Sequence, residues 1–197
     1  MAEILQVVDL DQLRKEVRRK YQEVAEAPTA SYHFHTGRAH ALRLGYPPHP
    51  LNDLPEEACE AFAGVGNPFF WGVPQPGEKV VDLGSGAGMD SLLAAIWVGP
   101  EGRVIGVDMT PEMLERSNAM AAKLDRHNVG FRQGLIEDLP IDDGWADVVI
   151  YNDVIKLCPD KNGVHRQHSS VPRPGGRYPC PGTRHERPVP EGARPDS

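Results

Sequence analysis

The chain has 197 residues, of which 40% are hydrophobic and 25% are charged, so it is long enough to fold around a core of its own. Lys and Arg number 21 against 28 Asp and Glu, and the formal charge of −7 disfavours a nucleic-acid partner because a negative surface repels phosphates. The most apolar stretch, residues 92–98, is too short to span a bilayer, and the N-terminus lacks a leader pattern. We therefore expect a cytoplasmic protein with no membrane partner. Its three widely spaced cysteines include no CxxC pair, so we expect reduced thiols.

A break in composition near residue 158 divides the chain. Residues 159–197 hold 8 of the 19 prolines and no Ile, Leu, Met, Phe or Trp, so they cannot build a core of their own. We predict three parts. They are an N-terminal helix and lid segment at 1–76, an α/β core at 77–158, and a poorly ordered tail rich in Pro and Arg at 159–197.

The N-terminal part begins with a helical pattern. Apolar residues recur at intervals of three and four from Leu10 to Val24, Asp9 and Gln12 suit a capping box, and Pro28 ends the pattern. Seven prolines between residues 47 and 76 then interrupt the chain, with one short helix expected at about Pro55–Ala63. This composition predicts a lid over a site, with no sheet.

After Gly77 short β-branched runs alternate with helical patterns. We predict strands at Lys79–Leu83, Arg103–Val107, Val129–Gln133 and Ala146–Tyr151, with helices at Asp90–Val98 and from Pro111 to about Asp125. Strands that alternate with helices in this way form a parallel sheet covered on both faces. The fold class is therefore α/β, with a doubly wound, mostly parallel sheet.

In such a sheet ligands bind beyond the carboxyl ends of the strands, so the residues after each strand are candidates for a site. A glycine-rich turn that lets the backbone approach a ligand follows the first strand. Asp108, after the second strand, lies 20 residues beyond Gly88 and suits two ribose hydroxyls. The candidates are Asp82, Gly84, Ser85, Gly86 and Gly88 at the turn, Asp108 and Met109, Ile136 and Glu137, and finally Asn152 and Asp153. Met109 would pack on a purine, Ile136 and Glu137 would frame an adenine and its amino group, and Asn152 would lie near the reacting centre.

The glycine spacing bears on the kind of ligand. Dinucleotide-binding turns follow GxGxxG and leave the helix N-terminus open for a pyrophosphate, whereas Gly84, Gly86 and Gly88 follow GxGxG. Asp82 would repel a pyrophosphate but attract an ammonium group. The pattern therefore favours S-adenosylmethionine, which carries an ammonium and a sulfonium and no phosphate. A dinucleotide and a purely structural turn are the alternatives.

At these residues the sequence resembles the class I S-adenosylmethionine-dependent methyltransferases, and among them the arsenite methyltransferase-like branch. The matching segments are GNP at 66–68, VVDLGSGAGMD at 80–90, VGPEGRVIGVDMTPEML at 98–114, IEDLP at 136–140 and ADVVIYNDVIKLCPDK at 146–161. The resemblance implies a Rossmann-like methyltransferase fold. It also implies that Asp82 and the glycine turn line the methionine part of the cofactor, Asp108 the ribose and Ile136 the adenine.

The resemblance is weaker for the methyl acceptor. The family holds trivalent arsenic with cysteine thiolates, yet two of the matching positions here are Val65 and Asp153, which cannot replace a soft sulfur ligand. Cys59 and Cys158 lie close to these positions in sequence and are candidate substitutes, with ordinary packed thiols as the alternative. Asp153 is the candidate catalytic residue, either as a base or as an orienting group, unless it only caps a helix.

Three histidines, His33, His35 and His40, invite a metal hypothesis, but they lack the spacing of a helical metal site, and we predict no metal. Lining of a substrate pocket, together with Tyr32, Phe34 and Tyr46, and ordinary surface or packing roles are the other interpretations.

The resemblance implies seven strands, but residues 163–170 offer almost no apolar helix face, so we expect the sheet to stop after strand four or five. An unpaired edge of strand four would then permit a homodimer. The sequence predicts methyl transfer from S-adenosylmethionine to a small-molecule acceptor, or alternatively a homologue that binds the cofactor without turnover.

Overall fold

The computed structural model describes residues 10–28, 30, 32, 35–152, 154–158 and 160–178. The first element, α1 (Leu10–Glu26), confirms the predicted amphipathic helix, whose Val24 is fully buried; the proposed cap Asp9 lies outside the described residues. Three short helices follow, namely α2 (Arg38–Arg43), α3 (Pro48–Leu51) and α4 (Glu56–Cys59). The last covers only part of the helix predicted at 55–63. No strand occurs among the described residues before 79.

Five parallel strands form one sheet in the order β3-β2-β1-β4-β5. The strands are β1 (Lys79–Leu83), β2 (Arg103–Asp108), β3 (Val129–Gln133), β4 (Ala146–Tyr151) and β5 (Pro172–Arg177). The intervening helices are α5 (Met89–Val98), α6 (Pro111–Lys123), α7 (Val154–Leu157) and α8 (Lys161–Ser170). The strand order reverses between β1 and β4, which confirms a doubly wound α/β fold and marks the crevice where ligands bind in such sheets.

Alternate residues of the central strands enter two separate cores. Val80 faces a cluster that includes α5 and the side chains of Tyr46, Phe62 and Phe69, whereas Val81 faces a cluster on the opposite side of the sheet. The segment between α1 and β1 therefore packs into the same core as α5. The division into three domains stays a prediction, but this packing holds Tyr46 against the core around α5.

The C-terminal part corrects one expectation. We expected β4 to have an unpaired edge, but β5 pairs with β4 in parallel, through an irregular register between Ala146 and Val148. Val164 of α8 and Val171, each 1% exposed, supply the apolar contacts that the sequence seemed to lack. Asp160 accepts a hydrogen bond from the Gly163 N–H (2.8 Å) and so caps α8.

Arginine ion pairs also anchor β5, because Arg177 pairs with Glu78 and Arg173 with Asp147. Residues 179–197, about half of the predicted poorly ordered tail, lie outside the described residues. None of the helices in the described part of the chain has the length and hydropathy of a membrane span.

Candidate functional site

A cavity opens beyond the carboxyl ends of β1, β2 and β4, where the strand order reverses. The glycine turn between β1 and α5 forms its floor, and α1 contributes Val17 and Tyr21 to its wall. Nine of the sequence-predicted site residues line it: Gly84, Ser85, Gly86, Gly88, Asp108, Met109, Ile136, Glu137 and Asn152. The structure therefore brings together residues from four separate loops. Asp153, the candidate catalytic residue, lies outside the described residues.

The glycine turn needs its glycines for conformation and for space. Gly84, Gly86 and Gly88 all have positive φ angles, of 68°, 53° and 90°, which side chains disfavour. A Cβ atom on Gly84 would lie 2.5 Å from Cγ2 of Val154. The Ser85 side chain packs close to β2. Its buried Oγ has no hydrogen-bond partner in the described structure and lies 2.8 Å from the position that a Cβ atom on Gly106 would occupy. The turn thus offers backbone to the cavity.

Asp108 joins the end of β2 to the glycine turn. Its Oδ2 accepts a hydrogen bond from the Gly86 N–H (2.9 Å), and its Oδ1 accepts one from the Thr110 N–H (2.8 Å). Burial raises the pKa of this carboxyl group, although those backbone donors oppose the shift. Asp108 lines the cavity, so a ligand hydroxyl can share its carboxylate oxygens with these protein donors.

Glu137 has partners that its predicted adenine-binding role did not include. Its Oε1 accepts from Nη2 of Arg14 on α1 (2.7 Å), and its Oε2 accepts from the Sγ–H of Cys158 (3.2 Å). Ile136 beside it is buried and lines the cavity. The carboxylate therefore links α1 to the loop after β3, and Arg14 and Cys158 are site residues that sequence analysis did not assign to this role.

Two buried aspartates differ in their access to the cavity. Asp82, predicted to face the cofactor, is 2% exposed, accepts from the Ser91 Oγ–H (2.6 Å) and is not among the lining residues. Asp90, in the first turn of α5, lines the cavity instead. Burial raises the pKa of both carboxyl groups, and each carboxylate destabilises the charge of the other. The signal for Asp90 was present in the sequence, since it is the only charged residue of α5.

Tyr46 and Asn152 hold Asp90 in place. The Tyr46 hydroxyl donates to Oδ1 of Asp90 (2.7 Å), and Nδ2 of Asn152 donates to the Tyr46 oxygen (3.1 Å). Oδ1 of Asn152 accepts from the N–H groups of Val65 and Gly66, both at 3.0 Å. Asn152 thus joins β4 to the loop after α4. Burial raises the pKa of the Tyr46 hydroxyl, so it stays a donor at neutral pH.

The cysteines do not form a thiolate site in the described structure. Cys59 is fully buried in the core around α5 and does not line the cavity, whereas Cys158 lines it. Burial raises the pKa of both thiols to about 11, so both are protonated at neutral pH. Val65 is 56% exposed and has no sulfur to offer.

The described histidines of the histidine-rich segment do not line the cavity, although His40 contacts its wall. His40 Nε2 is 2.7 Å from the Gly64 carbonyl oxygen, and the ring centroids of His35 and His40 are 5.7 Å apart. His33 and Phe34 lie outside the described residues. His35, His40, Tyr32 and Tyr46 do not line the cavity, so these four support the packing interpretation. Among the described residues no three His, Cys, Asp or Glu side chains are grouped as metal ligands would be.

The fold and the site together define an α/β domain with a cavity at the topological switch point of its sheet. Residues 74–193 match the model of the methyltransferase domain family, and this chain belongs to that family. An arsenite methyltransferase from Halobacterium salinarum is 48% identical over 135 residues, which are 68% of this chain and 34% of that protein. A demethylmenaquinone methyltransferase from Listeria monocytogenes is 33% identical over 54% of this chain and 45% of its own length.

The crystal structure of an arsenic(III) S-adenosylmethionine methyltransferase from Chlamydomonas reinhardtii superposes with a TM-score of 0.58 at 42% identity. The match covers 64% of this chain and 44% of that one. The chain therefore spans between a third and a half of the length of these relatives.

Proposed function

We propose that this chain binds S-adenosylmethionine and transfers its methyl group to a small-molecule acceptor. The observation that carries the proposal is the single cavity in which the glycine turn, Asp108, Met109 and Ile136 meet at the switch point. The similar structure from Chlamydomonas reinhardtii, that of an arsenic(III) S-adenosylmethionine methyltransferase, supports the same cofactor.

The charges around the cavity suit that cofactor. Asp90, Asp108 and Glu137 are acidic, and the only basic side chain among the described lining residues, Arg14, already pairs with Glu137. A pyrophosphate would find no unpaired cation there, whereas a ligand with ammonium and sulfonium charges would be attracted. This argues against a nicotinamide dinucleotide.

Methyl transfer from a sulfonium needs alignment of the acceptor and exclusion of water more than it needs a dedicated catalytic side chain. The cofactor supplies the reactive methyl group. Val17 and Tyr21 of α1 and Phe62 after α4 contribute apolar surface to the cavity wall, which would exclude water. Asp153 stays a predicted base or orienting group for the acceptor.

We propose an organic acceptor in preference to arsenite. The similar proteins include an arsenite methyltransferase and a demethylmenaquinone methyltransferase, so related chains are named for very different acceptors. In this chain Cys158 is the one described cysteine on the cavity wall, and it is protonated and bound to Glu137. Trivalent arsenic requires several thiolates, which this wall does not supply.

A cofactor-binding homologue without turnover is the second candidate. The observation that favours it is the same loss of thiols, with Val65 exposed at one expected position and Cys59 buried away from the cavity. Binding and turnover must therefore be measured separately.

The first experiment is isothermal titration of the full chain with S-adenosylhomocysteine. We expect micromolar affinity, about −8 kcal/mol, which Asp108→Ala weakens and Asp143→Ala, an exposed residue away from the cavity, leaves unchanged. Absence of binding by the folded wild-type chain would refute the proposal. Radiolabelled cofactor offered with arsenite, phenols and amines then decides between the two candidates, because binding without transfer to any acceptor supports the inactive homologue.

The proposal extends to location and partners. We place the protein in the cytoplasm, with a small-molecule acceptor as its partner and with neither nucleic acid nor membrane. Self-association through a sheet edge would now involve β5, whose Pro172 and Pro174 lack the N–H donors that edge pairing uses. Light scattering during gel filtration tests whether a homodimer forms.

A further inference from the structure

Asp90 differs from the other acidic residues of the cavity in its hydrogen-bond partners. It is 6% exposed, lies in the first turn of α5 and lines the cavity. The Tyr46 hydroxyl donates to one carboxylate oxygen at 2.7 Å, and Nδ2 of Asn152 lies 3.3 Å from the other. Tyr46 precedes Asp90 by 44 residues and Asn152 follows it by 62, so three distant parts of the chain converge on one carboxylate.

This carboxylate has no cationic partner among the described residues. Its hydrogen-bond partners are a hydroxyl and an amide, and its acidic neighbour is the buried carboxyl of Asp82, which accepts a hydrogen bond from Ser91. A buried carboxylate without a cation is costly, and the cost is removed when a positive group arrives beside it. Because Asp90 faces the cavity and Asp82 does not, Asp90 is the one of the two that a ligand can reach.

We infer that Asp90 recognises the ammonium group of the cofactor, and that Tyr46 and Asn152 are positioning residues that hold its ionised carboxylate against the cavity. This inference rests on the proposed function. Sequence analysis assigned recognition of the ammonium group to Asp82. We assign it to Asp90, eight residues further along the chain. Asp82 becomes a buried neighbour behind the glycine turn.

The arrangement makes ligand binding depend on pH. The groups that face Asp90 are the Tyr46 hydroxyl, the Asn152 amide, the Asp82 carboxyl and, further away, the Cys59 thiol. Burial favours the protonated form of Asp90, whereas the Tyr46 and Asn152 donors favour the ionised form. Removing the Tyr46 hydroxyl should therefore shift Asp90 ionisation, and with it ammonium binding, to higher pH.

The test uses two probes that share the adenosine and sulfur portions. S-adenosylhomocysteine carries the amino-acid ammonium and carboxylate, whereas 5′-methylthioadenosine carries neither. At pH 7.5 we expect Asp90→Asn to weaken S-adenosylhomocysteine about tenfold or more and to change 5′-methylthioadenosine less than about twofold. Asp143→Asn serves as the exposed control. Equal weakening of both probes, or of neither, would overturn the inference.

The second arm measures the affinity of Tyr46→Phe for S-adenosylhomocysteine between pH 5.5 and 8.5. We expect the affinity profile to move upward by about one pH unit, so that the loss is largest at low pH and recovers at high pH. A uniform loss at every pH and for both probes would mean that Tyr46 only supports the fold. A wild-type chain that binds neither probe would instead refute the proposed function itself.

Discussion

Arg14 of α1 and Glu137 after β3 lie 123 residues apart in the chain and form an ion pair, with Nη2 and Oε1 separated by 2.7 Å. The Glu137 side chain is only 10% exposed, so the pair is poorly screened by solvent. Val17 and Tyr21 of the same helix line the cavity. The ion pair therefore fastens α1 across one side of the site.

Arg14→Met should loosen this attachment, because it leaves a nearly buried carboxylate without its cation. We expect S-adenosylhomocysteine to dissociate about tenfold faster, equivalent to about 1.4 kcal/mol, and amides of α1 to exchange deuterium faster. Stopped-flow fluorescence and hydrogen exchange provide the two measurements. Arg18→Met changes an exposed arginine of the same helix and should leave both unchanged. Normal exchange in α1 of Arg14→Met would show that other contacts hold the helix.

The buried carboxyl of Asp82 should make stability depend on pH. Burial, the largest cause, raises its pKa above that of the unfolded chain, with Asp90 adding to the shift. A raised pKa in the folded state favours folding at low pH, and this contribution is lost as the pH rises through the folded-state pKa. The unliganded protein should therefore lose stability as the pH rises from about 4, the unfolded-state pKa, to the folded-state pKa of about 8.

Asp82→Asn keeps a side-chain oxygen that accepts a hydrogen bond from the Ser91 hydroxyl. It also removes the ionisable carboxyl group, so the folded state no longer depends on the protonation of residue 82. Relative to wild type we expect a gain of about 2 kcal/mol or more in unfolding free energy at pH 8, and little or no gain at pH 4. Urea unfolding at the two pH values measures the difference, with the exposed Asp143→Asn as control. If Asp82→Asn lowered the unfolding free energy equally at both pH values, ionisation of Asp82 would not explain the pH dependence of stability.

Local patterns predicted the glycine turn and Asp108 because each depends on a few neighbouring residues. A strand, a glycine run and a helix must place Gly84–Gly88 at the carboxyl edge, and the next strand must bring Asp108 beside it. By contrast, Tyr46 meets Asp90 only through the packing of the loop before α3 onto α5, which no local period encodes. The same holds for Arg14 and Glu137.

For the described part of the C-terminal tail, the sequence predicted less structure than the chain has. Residues 160–178 lack apolar periodicity, so the sequence did not predict a stable α8 and left open whether a fifth strand forms. In the structure two valines, Val164 and Val171, enter the core, and Arg173 and Arg177 pair with Asp147 and Glu78 on the neighbouring part of the fold. Such pairs link positions far apart in sequence, and a periodicity argument weighs only neighbours.

The two buried thiols should report cofactor binding differently. Because burial raises the pKa of Cys59 and Cys158 to about 11, their thiolate fractions at pH 7.5 are about a hundredfold below that of an ordinary cysteine. We expect slow alkylation of both in the native protein. Saturating S-adenosylhomocysteine should slow Cys158 further, since this residue lines the cavity, and affect Cys59 much less.

Peptide mass spectrometry after timed iodoacetamide treatment gives both rates from one sample, so Cys59 serves as the internal control. Equal protection of the two cysteines would indicate general stabilisation by the ligand and would contradict occupancy beside Cys158.

Alanine substitutions at Gly88 and Gly99 distinguish two contributions to the loss of stability, backbone strain and steric overlap. Both have positive φ angles, 90° and 66°, so alanine is strained at either position. A Cβ on Gly88 would also lie 2.7 Å from Cζ of Phe131 and 2.9 Å from Cβ of Ser117, whereas a Cβ on Gly99 would meet nothing within 4 Å. Only the substitution at Gly88 therefore adds a steric clash to the strain.

We expect Gly99→Ala to cost about 1 kcal/mol of unfolding free energy and Gly88→Ala about 3 kcal/mol, because overpacking adds to backbone strain. Gly88→Ala should also weaken S-adenosylhomocysteine, since Gly88 lines the cavity, whereas Gly99→Ala should bind it normally. Urea unfolding and calorimetric titration measure the two effects. If the variants lost stability equally, the Phe131 ring would have to move aside without cost, and the close approach of α6 and β3 to the glycine turn would not constrain the site.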